Sequence, residues 1–265
     1  MNSVTSPRFG HVWFDALNTS THESTGSLLT GTTHLDGQEA HLAAVVPDPD
    51  SRFPRARTGE VGVGEGLELG RWIRSLDDDG QPLVLIIDVP SQAYGYVEEL
   101  LGIHVALASS ADAVARTRLN GRPVVAFVVG KAISGAFLAT GLQANRIVSL
   151  QHPGVQVQVM SKQAAARITQ RTVEDLDRLA ETIPAMAFDI DSFSGLGAVD
   201  TLVTVSDPAA PAQEDLDSSR AALAAAIADV RRTKDVGLAG RLRSEPAQES
   251  RVLSRQVREK IDAHW

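Results

Sequence analysis

One stretch of the chain carries residues of the type and spacing that bind a developing negative charge. Residues 124–129 are all apolar and mostly β-branched, which predicts a strand buried on both faces, as in a parallel sheet. We expect Gly130 to break this strand, and the small residues at 134–136 to begin an apolar, buried helix that continues to Leu142. Such a turn leaves backbone N–H groups without intrahelical acceptors at the positive end of the helix dipole.

This turn predicts an oxyanion site, and Gly135, Ser134 and Ala136 are its candidate catalytic residues. Gly135 can bring its N–H closest to an oxyanion because no Cβ stands in the way. Alternatively, these small residues serve only to let the helix pack closely against the strand. Ser134 is then either a small residue that fits the turn or a nucleophile. A nucleophile needs an adjacent base, and the lysines nearest in sequence are Lys131 and Lys162.

A second loop leaves another buried strand. Residues 82–89 are almost entirely apolar, and the loop 90–96 follows directly. Because α/β folds place their chemistry at the carboxyl ends of parallel strands, we expect the two loops to converge on one crevice. Gln92 and Tyr94 would line an acyl pocket there or be exposed loop residues. The candidate substrate-binding residues are Ser91, Gln92, Tyr94 and Gly130.

Composition excludes several other classes of protein. A chain of 265 residues with 43% hydrophobic residues can bury a full core. It shows no apolar run long enough to cross a bilayer and no secretory signal, so a cytoplasmic protein without a membrane partner is expected. Without cysteine, and with seven scattered histidines, no metal site is expected. The net charge of −8 argues against a nucleic-acid partner.

The elements that position these two loops follow the order of an α/β protein. The repeated strand–helix–strand pattern predicts parallel strands joined by right-handed crossovers. The chain divides into a weakly ordered N-terminal arm over residues 1–26, a domain over 27–207 and C-terminal helices over 208–265. The predicted elements are a β-hairpin over 28–46 around Asp36-Gly37, helices over 67–76 and 98–118, and strands over 82–89, 124–129, 145–150 and 155–160.

The ordered motifs resemble the crotonase (ClpP-like) superfamily, and within it the carboxyltransferase subunits of acyl-CoA carboxylases. Those subunits carry I-D-x-P-G before a helix and G-E-G-G-S-G-G-A at the oxyanion turn. The matching residues here are Ile86-Ile87-Asp88-Val89-Pro90, Pro123-Val-Val, Gly130-Lys-Ala-Ile-Ser134-Gly135-Ala136 and, late in the chain, Gly197-Ala-Val199-Asp200. The resemblance covers about residues 28–205 and implies an α/β, crotonase-like fold of repeated ββα units with a C-terminal helical segment.

The departures from these motifs reduce the number of reactions that the resemblance implies. Hydratases of this superfamily place a glutamate three residues after the oxyanion glycine, where this chain has Leu138, so hydration and isomerisation are not expected. Ala132 and Ile133 replace the Gly-Gly of the carboxyltransferases, and Ser91 replaces the glycine after Pro90. Decarboxylation of a malonyl thioester tolerates these losses, because loss of CO₂ leaves an enolate whose main need is donors to its oxyanion.

With the arginine loop 52–57 and the C-terminal helices, the whole set is most similar to the gamma subunits of biotin-independent malonate decarboxylases. The resemblance implies that the chain, with a beta subunit of the same fold and inside a larger decarboxylase complex, converts a malonyl thioester on an acyl carrier protein to the acetyl thioester. It implies no directly bound cofactor and no biotin. The carrier's phosphopantetheine-like, dephospho-CoA-derived arm would bring the substrate.

Three points stay open at this level. Arg52, Arg55 and Arg57 would hold phosphates of the carrier arm or pair with acidic groups on the surface. A serine peptidase of the ClpP-like superfold is the alternative enzyme class, with Ser134 as its nucleophile. A non-catalytic scaffold subunit that only supports its partner is the third possibility.

Overall fold

The computed structural model describes residues 9–265. One mixed sheet of eight strands positions both loops. The strands pair in the order β1-β2-β3-β4-β5-β6-β8, with β7 added beside β5. From β3 onward every neighbouring pair is parallel, which confirms the predicted succession of parallel strands. The strands are β1 (Glu23–Thr25), β2 (Leu28–Leu35), β3 (Gln38–Val45), β4 (Leu83–Val89), β5 (Val124–Ile133), β6 (Arg146–Gln151), β7 (Gln156–Gln158) and β8 (Thr201–Thr204).

The β-hairpin predicted around Asp36-Gly37 is confirmed. Strands β2 and β3 are antiparallel, with Leu35 opposite Gln38 at the turn. Asp36 and Gly37 have φ angles of 50° and 73°. A two-residue turn with both central residues in the left-handed region twists in the same sense as the strands it connects, which is why this dipeptide is a strong hairpin signal.

Several helices differ from the predicted bounds. The predicted helix over 98–118 is two helices separated at Gly102, whose φ of 82° interrupts helical geometry. No helix within the described residues is long and apolar enough to cross a membrane. The helices are α1 (Gly10–Leu17), α2 (Val63–Ser75), α3 (Tyr96–Leu100), α4 (Ile103–Leu119), α5 (Ser134–Ala139), α6 (Lys162–Thr169), α7 (Val173–Ala180), α8 (Ile190–Gly195), α9 (Gln213–Thr233), α10 (Glu245–Ser250) and α11 (Val252–His264).

The N-terminal segment is more ordered than the sequence indicated. Residues 1–8 of the predicted arm lie outside the described residues, but α1 packs Trp13, Phe14 and Leu17 into the core with no exposed surface. Trp13 Nε1 donates to the carbonyl of Pro208 at 3.0 Å, and its ring meets Phe127 edge-on with centroids 5.3 Å apart. Helix α1, within the predicted arm, is therefore part of the packed core. A helix of eight residues is too short for its periodicity to be read from sequence.

One buried carboxylate joins α1 to β4 and β5. Asp88 lies near the end of β4 with 3% of its surface exposed. Its Oδ2 accepts hydrogen bonds from the backbone N–H groups of Phe9 at 2.6 Å and Gly10 at 3.0 Å. Its Oδ1 accepts one from Lys131 N at 2.9 Å. A carboxylate at a helix N-terminus also faces the positive end of the helix dipole, so α1 begins at this group.

The late Gly-Ala-Val-Asp motif has a comparable structural role. Asp200 accepts the N–H of Ile147 through Oδ2 at 2.8 Å and lies 3.4 Å from Arg146 Nε. Burial is the main cause that raises the pKa of the Asp200 carboxyl above its usual range. Gly197 has a φ of 82°, which a residue with a side chain rarely adopts. The motif therefore fixes the entry of β8 against β6.

Two of the C-terminal helices, α9 and α11, differ in how they pack. Helix α9 buries Leu223 and Ile227 in the same core as the sheet. Helix α11 leaves Leu253 and Val257 77% and 58% exposed. The division of the chain at residues 26 and 207 stays a prediction.

A second carboxylate fixes the start of α9. Asp215 accepts hydrogen bonds from Ser206 Oγ at 2.7 Å and from Ala212 N at 3.0 Å. The hydrogen bond from the Ser206 hydroxyl is the largest cause that lowers the pKa of the Asp215 carboxyl. The segment before α9 is thereby attached to the first turn of the helix.

Replacing Asp88 by alanine should destabilise the protein strongly. Three backbone N–H groups would lose their acceptor, and hydrogen bonds to a charged group contribute about 1.5–3 kcal/mol each. We expect the free energy of unfolding, measured by urea denaturation with circular dichroism, to fall by about 3–5 kcal/mol. Asp217→Ala, with a side chain 65% exposed, is the control and should change it by less than about 0.5 kcal/mol. Equal losses in both variants would contradict this role of Asp88.

The contribution of Asp215 should depend on pH in a defined direction. Its folded pKa lies below the ordinary value of 3.8, so its stabilisation is present above that pH and is lost as the pH falls through the lower, folded value. The difference in unfolding free energy between the wild type and Asp215→Asn should therefore be constant near neutral pH and shrink below about pH 4. A difference that grows on acidification would contradict the assignment, and Asp262→Asn on α11 is the exposed control.

Candidate functional site

The predicted oxyanion turn lies at the carboxyl end of β5, but the strand is longer than predicted. Gly130 lies within β5, so the expectation that it breaks the strand is wrong. A Cβ at this position would lie 2.2 Å from Asp88 Oδ1 and 2.4 Å from Asp88 Cγ. Glycine therefore lets β5 pass the buried carboxylate. The proposed role of Gly130 in substrate binding stays a prediction.

Ser134 makes the turn from strand to helix with a left-handed backbone. Its φ is 67°, uncommon for a residue with a side chain and frequent at functional sites. Its hydroxyl donates to Gln92 Oε1 at 3.3 Å. Within residues 9–265, no lysine or histidine side chain hydrogen-bonds to this hydroxyl. The adjacent base that a serine nucleophile requires is therefore not in contact with it.

Gly135 and Ala136 follow as the first residues of α5, which ends at Ala139 rather than at Leu142. Ala136 is fully buried, as the prediction of a buried helix start requires, but Leu138 is 39% exposed. The Gly135 N–H lies in the first turn, where no intrahelical carbonyl is available. No other backbone carbonyl within the described residues accepts it. This N–H is therefore available to an oxyanion.

The loop after β4 reaches the same turn, so the predicted convergence of the two loops is confirmed. A Cβ on Gly135 would lie 2.0 Å from Gln92 Oε1, which places the Gln92 carboxamide over the glycine. Val61 N donates to the Ser91 carbonyl at 3.1 Å, and Ala93 N donates to the Val61 carbonyl at 2.8 Å. Because the groups of alternate residues point to opposite edges of an extended segment, the Gln92 N–H points away from Val61.

Tyr94 and the arginines of the loop 52–57 lie at the outer edge of the candidate site. Tyr94 is 57% exposed, and the Arg55 guanidinium lies 4.1 Å from its ring centroid. Arg55 also pairs with Glu60 at 2.9 Å. Arg57 Nε donates to the Ser51 carbonyl at 2.7 Å, and Arg52 lies 4.8 Å from the centroid of the Phe53 ring. All three arginines that the sequence singled out therefore have partners within their own region of the chain.

A cavity of about 350 Å³ opens beside the turn. Pro90 begins one of the two converging loops and Ile133 precedes the other, and both form part of the cavity wall. Phe188 forms another part. Strand β7 pairs with β5 so that Gln156 stands opposite Lys131. The polar side chains that line the cavity are Lys131, Gln156, Ser161, Lys162 and Gln163.

Sequence reasoning missed this cavity. From the sequence alone, Lys131 and Lys162 are candidates only as bases for Ser134, and Gln156 and Gln163 have no assigned role. The signal was present in the alternation of Val and Gln around residue 157, which predicted a half-exposed strand. What the sequence could not show is that β7 extends the sheet next to β5 and that α6 begins above it.

Comparison with known proteins gives a consistent set of relatives. The family model of the malonate decarboxylase gamma subunit matches residues 56–265. The malonyl-S-ACP:biotin-protein carboxyltransferase of Malonomonas rubra is 32% identical over 224 residues, 81% of this chain and 73% of that protein.

Solved structures extend the match to almost the whole chain. A chain of a Pseudomonas malonate decarboxylase hetero-tetramer, in complex with coenzyme A, is 45% identical with a TM-score of 0.87, covering 96% of this chain and 100% of that one. A chain of a Pseudomonas MdcD-MdcE hetero-dimer is 43% identical with a TM-score of 0.86, covering 98% and 100%. These matches confirm the crotonase-like α/β fold expected from the motifs.

Gly130 of β5 and Gly135 of the turn should respond differently to an added methyl group. In Gly130→Ala the Cβ meets an Asp88 carboxylate that the N–H groups of Phe9, Gly10 and Lys131 hold in place, so we expect a loss of about 2 kcal/mol or more in the free energy of unfolding. In Gly135→Ala it meets the mobile end of Gln92, which can rotate away, so we expect a change below about 1 kcal/mol. Urea denaturation of both variants measures this, and equal losses would contradict the contacts described.

Proposed function

The chain belongs to the family of malonate decarboxylase gamma subunits, and from that premise we propose that it decarboxylates a malonyl thioester together with a beta subunit of the same fold. The substrate is carried by an acyl carrier protein and leaves as the acetyl thioester. The M. rubra relative supports this, because it is a malonyl-S-ACP carboxyltransferase. The relatives of known structure support it as well, because they are malonate decarboxylase chains.

The reaction needs stabilisation of charge more than acid or base groups. The bond between the α-carbon and the carboxylate breaks, CO₂ leaves, and the electron pair moves onto the thioester carbonyl as an enolate. The α-carbon then takes a proton from water. Because negative charge develops on the carbonyl oxygen, donors aimed at that oxygen lower the barrier.

The observation that carries this proposal is the Gly135 N–H, available at the point where the two loops meet. Ser134 directs this N–H through its left-handed turn, and Ala136 allows the helix to begin against the core. Gln92, Ser91 and Tyr94 bind the acyl group and the arm. The thioester oxygen binds at the Gly135 N–H and displaces the Gln92 carboxamide from above this glycine.

The partner covers an apolar patch beside the site. We use this name for Tyr96, Val97, Leu100, Leu101 and Val105, which are 53–81% exposed and directly follow the loop at 90–95. A contiguous apolar surface of this kind marks an interaction site. The beta subunit is the occupant that the site requires, because the relatives of similar length assemble as a hetero-dimer and a hetero-tetramer.

The substrate arrives on a phosphopantetheine-like arm, derived from dephospho-CoA, with no biotin and no cofactor bound by this chain. The coenzyme A bound to the Pseudomonas hetero-tetramer supports an arm of this chemistry. The complex works in the cytoplasm, in line with the expectation from sequence. A peptidase reaction has no comparable support, because among residues 9–265 the Ser134 hydroxyl hydrogen-bonds to the Gln92 amide oxygen and to no lysine or histidine side chain.

Gly135→Pro should reduce turnover of the reconstituted complex, because proline deletes the N–H that the oxyanion needs. Removal of one such donor typically costs about 10²–10³-fold in kcat. The measurement is conversion of malonyl to acetyl thioester on the carrier protein, followed by mass spectrometry. Full activity of Gly135→Pro in an intact complex would favour the scaffold alternative.

Ser134→Gly is the matched variant, because glycine keeps the left-handed turn while the hydroxyl is removed. We expect its kcat to stay within about threefold of wild type, whereas loss of a nucleophile abolishes activity. Stoichiometric labelling of Ser134 by a fluorophosphonate probe would instead support the peptidase reading.

A further inference from the structure

We propose that the cavity beside β5 binds the free carboxylate of the malonyl group, and that Lys162 is the residue that recognises it. The inference rests on the proposed function and adds to it the residue that recognises the second, ionised carboxyl group of the malonyl thioester. It assigns the cavity a specificity role that is separate from stabilisation of the enolate.

The placement of lysines is the first observation. The chain contains four lysines, and two of them, Lys131 and Lys162, line this cavity. They come from different elements, since Lys131 is in β5 and Lys162 opens α6. Ser161 caps α6 by accepting the N–H of Ala164 at 3.2 Å, so the positive end of the α6 dipole lies at the same wall.

The charge of the lining is the second observation. None of the described residues that line the cavity is an aspartate or a glutamate, although the chain as a whole carries a net charge of −8. Two amide side chains and one hydroxyl add further donors. This combination of donors suits a carboxylate, whose two oxygens accept hydrogen bonds and attract ammonium groups.

The distance along the chain to the oxyanion turn is the third observation. Ile133 lines the cavity, and Ser134 and Gly135 follow it directly. In a malonyl thioester a single methylene separates the thioester carbonyl from the carboxylate, so the sites for the two groups must be neighbours. A phosphate of the carrier arm lies many bonds away from the thioester. The cavity therefore fits the carboxylate and not the arm phosphate.

Lys162 also has a competitor for the substrate. Its Nζ lies 2.6 Å from Asp177 Oδ1 of α7 and 5.4 Å from the centroid of the Phe188 ring. The two ionic side chains are 31% and 54% exposed, and exposed ion pairs contribute little to stability. Because an ammonium group has three donors, a substrate carboxylate can bind beside Asp177 or in its place.

The test is steady-state kinetics on the assembled complex, with Lys162→Met and Asp177→Asn as opposed variants. Lys162→Met should raise the KM for the malonyl thioester about tenfold or more, through loss of a hydrogen bond to a charged group. Its kcat should rise or stay the same and should not fall, because the lost interaction favours the charged ground state over a transition state in which the carboxylate is becoming neutral CO₂. Asp177→Asn should lower the same KM, because the competing carboxylate is gone.

The acetyl thioester separates carboxylate recognition from a general structural effect. It lacks the second carboxyl group, so its inhibition constant should be unchanged in Lys162→Met. Lys162→Arg keeps the charge and should restore most of the KM, and Lys260→Met on α11 is the control lysine. Malonate should inhibit Lys162→Met more weakly than wild type, whereas inhibition by inorganic phosphate should not change.

An unchanged KM in Lys162→Met, or an equal rise in the inhibition constant of the acetyl thioester, would overturn the inference while decarboxylation itself persists. Weaker inhibition by phosphate but not by malonate would assign the cavity to the arm and overturn it too. If the wild-type complex releases no CO₂ from the malonyl thioester, the proposed function fails first, and that result is distinguishable.

Discussion

The Asp88 carboxylate imposes the constraint on which the arrangement of the site depends. A buried carboxylate is costly unless donors replace its water, and the backbone N–H groups of Phe9, Gly10 and Lys131 do so. To supply the Lys131 N–H, β5 must run close beside the end of β4, and only glycine at 130 leaves room for the carboxylate. The start of α1 and the path of β5 are therefore coupled through one side chain.

The cavity and the turn at residues 134–136, the two features of the candidate site, follow from the path of the single strand β5. Because side chains alternate along a strand, Lys131 and Ile133 share one face and line the cavity, whereas Ala132 is buried against the core. The left-handed residue Ser134 then redirects the chain into α5 and leaves the Gly135 N–H available. A residue inserted between Lys131 and Ser134 would exchange the two faces and separate the cavity from the turn.

The sequence predicted those parts of the fold that depend on local pattern. Buried strands came from apolar runs and the hairpin from Asp36-Gly37, and the structure confirms both. The features it missed depend on contacts between distant residues. Helix α1 is held by Trp13 against Phe127, and the function of Gly130 is visible only when Asp88 is seen beside it. Lys162 lies 31 positions after Lys131, and only the pairing of β7 with β5 brings their elements together.

The proposed reaction also explains why a half-exposed, paired lysine suits this cavity better than a buried, unpaired one. A carboxylate that leaves as CO₂ loses its charge in the transition state, so every interaction that favours the charged form also raises the barrier to be crossed. Binding of the substrate carboxylate must therefore be strong enough to select a malonyl group and weak enough to allow the carboxylate to become neutral CO₂. Asp177 and solvent both reduce the attraction of Lys162 for an anion. In the proposed reaction, the hydrogen bond from the Gly135 N–H to the thioester oxygen would strengthen as the enolate forms. Leu138 stands where the resemblance places the carboxylate of a hydratase. The site thus combines weak binding of the charge that disappears with directed donors for the charge that develops.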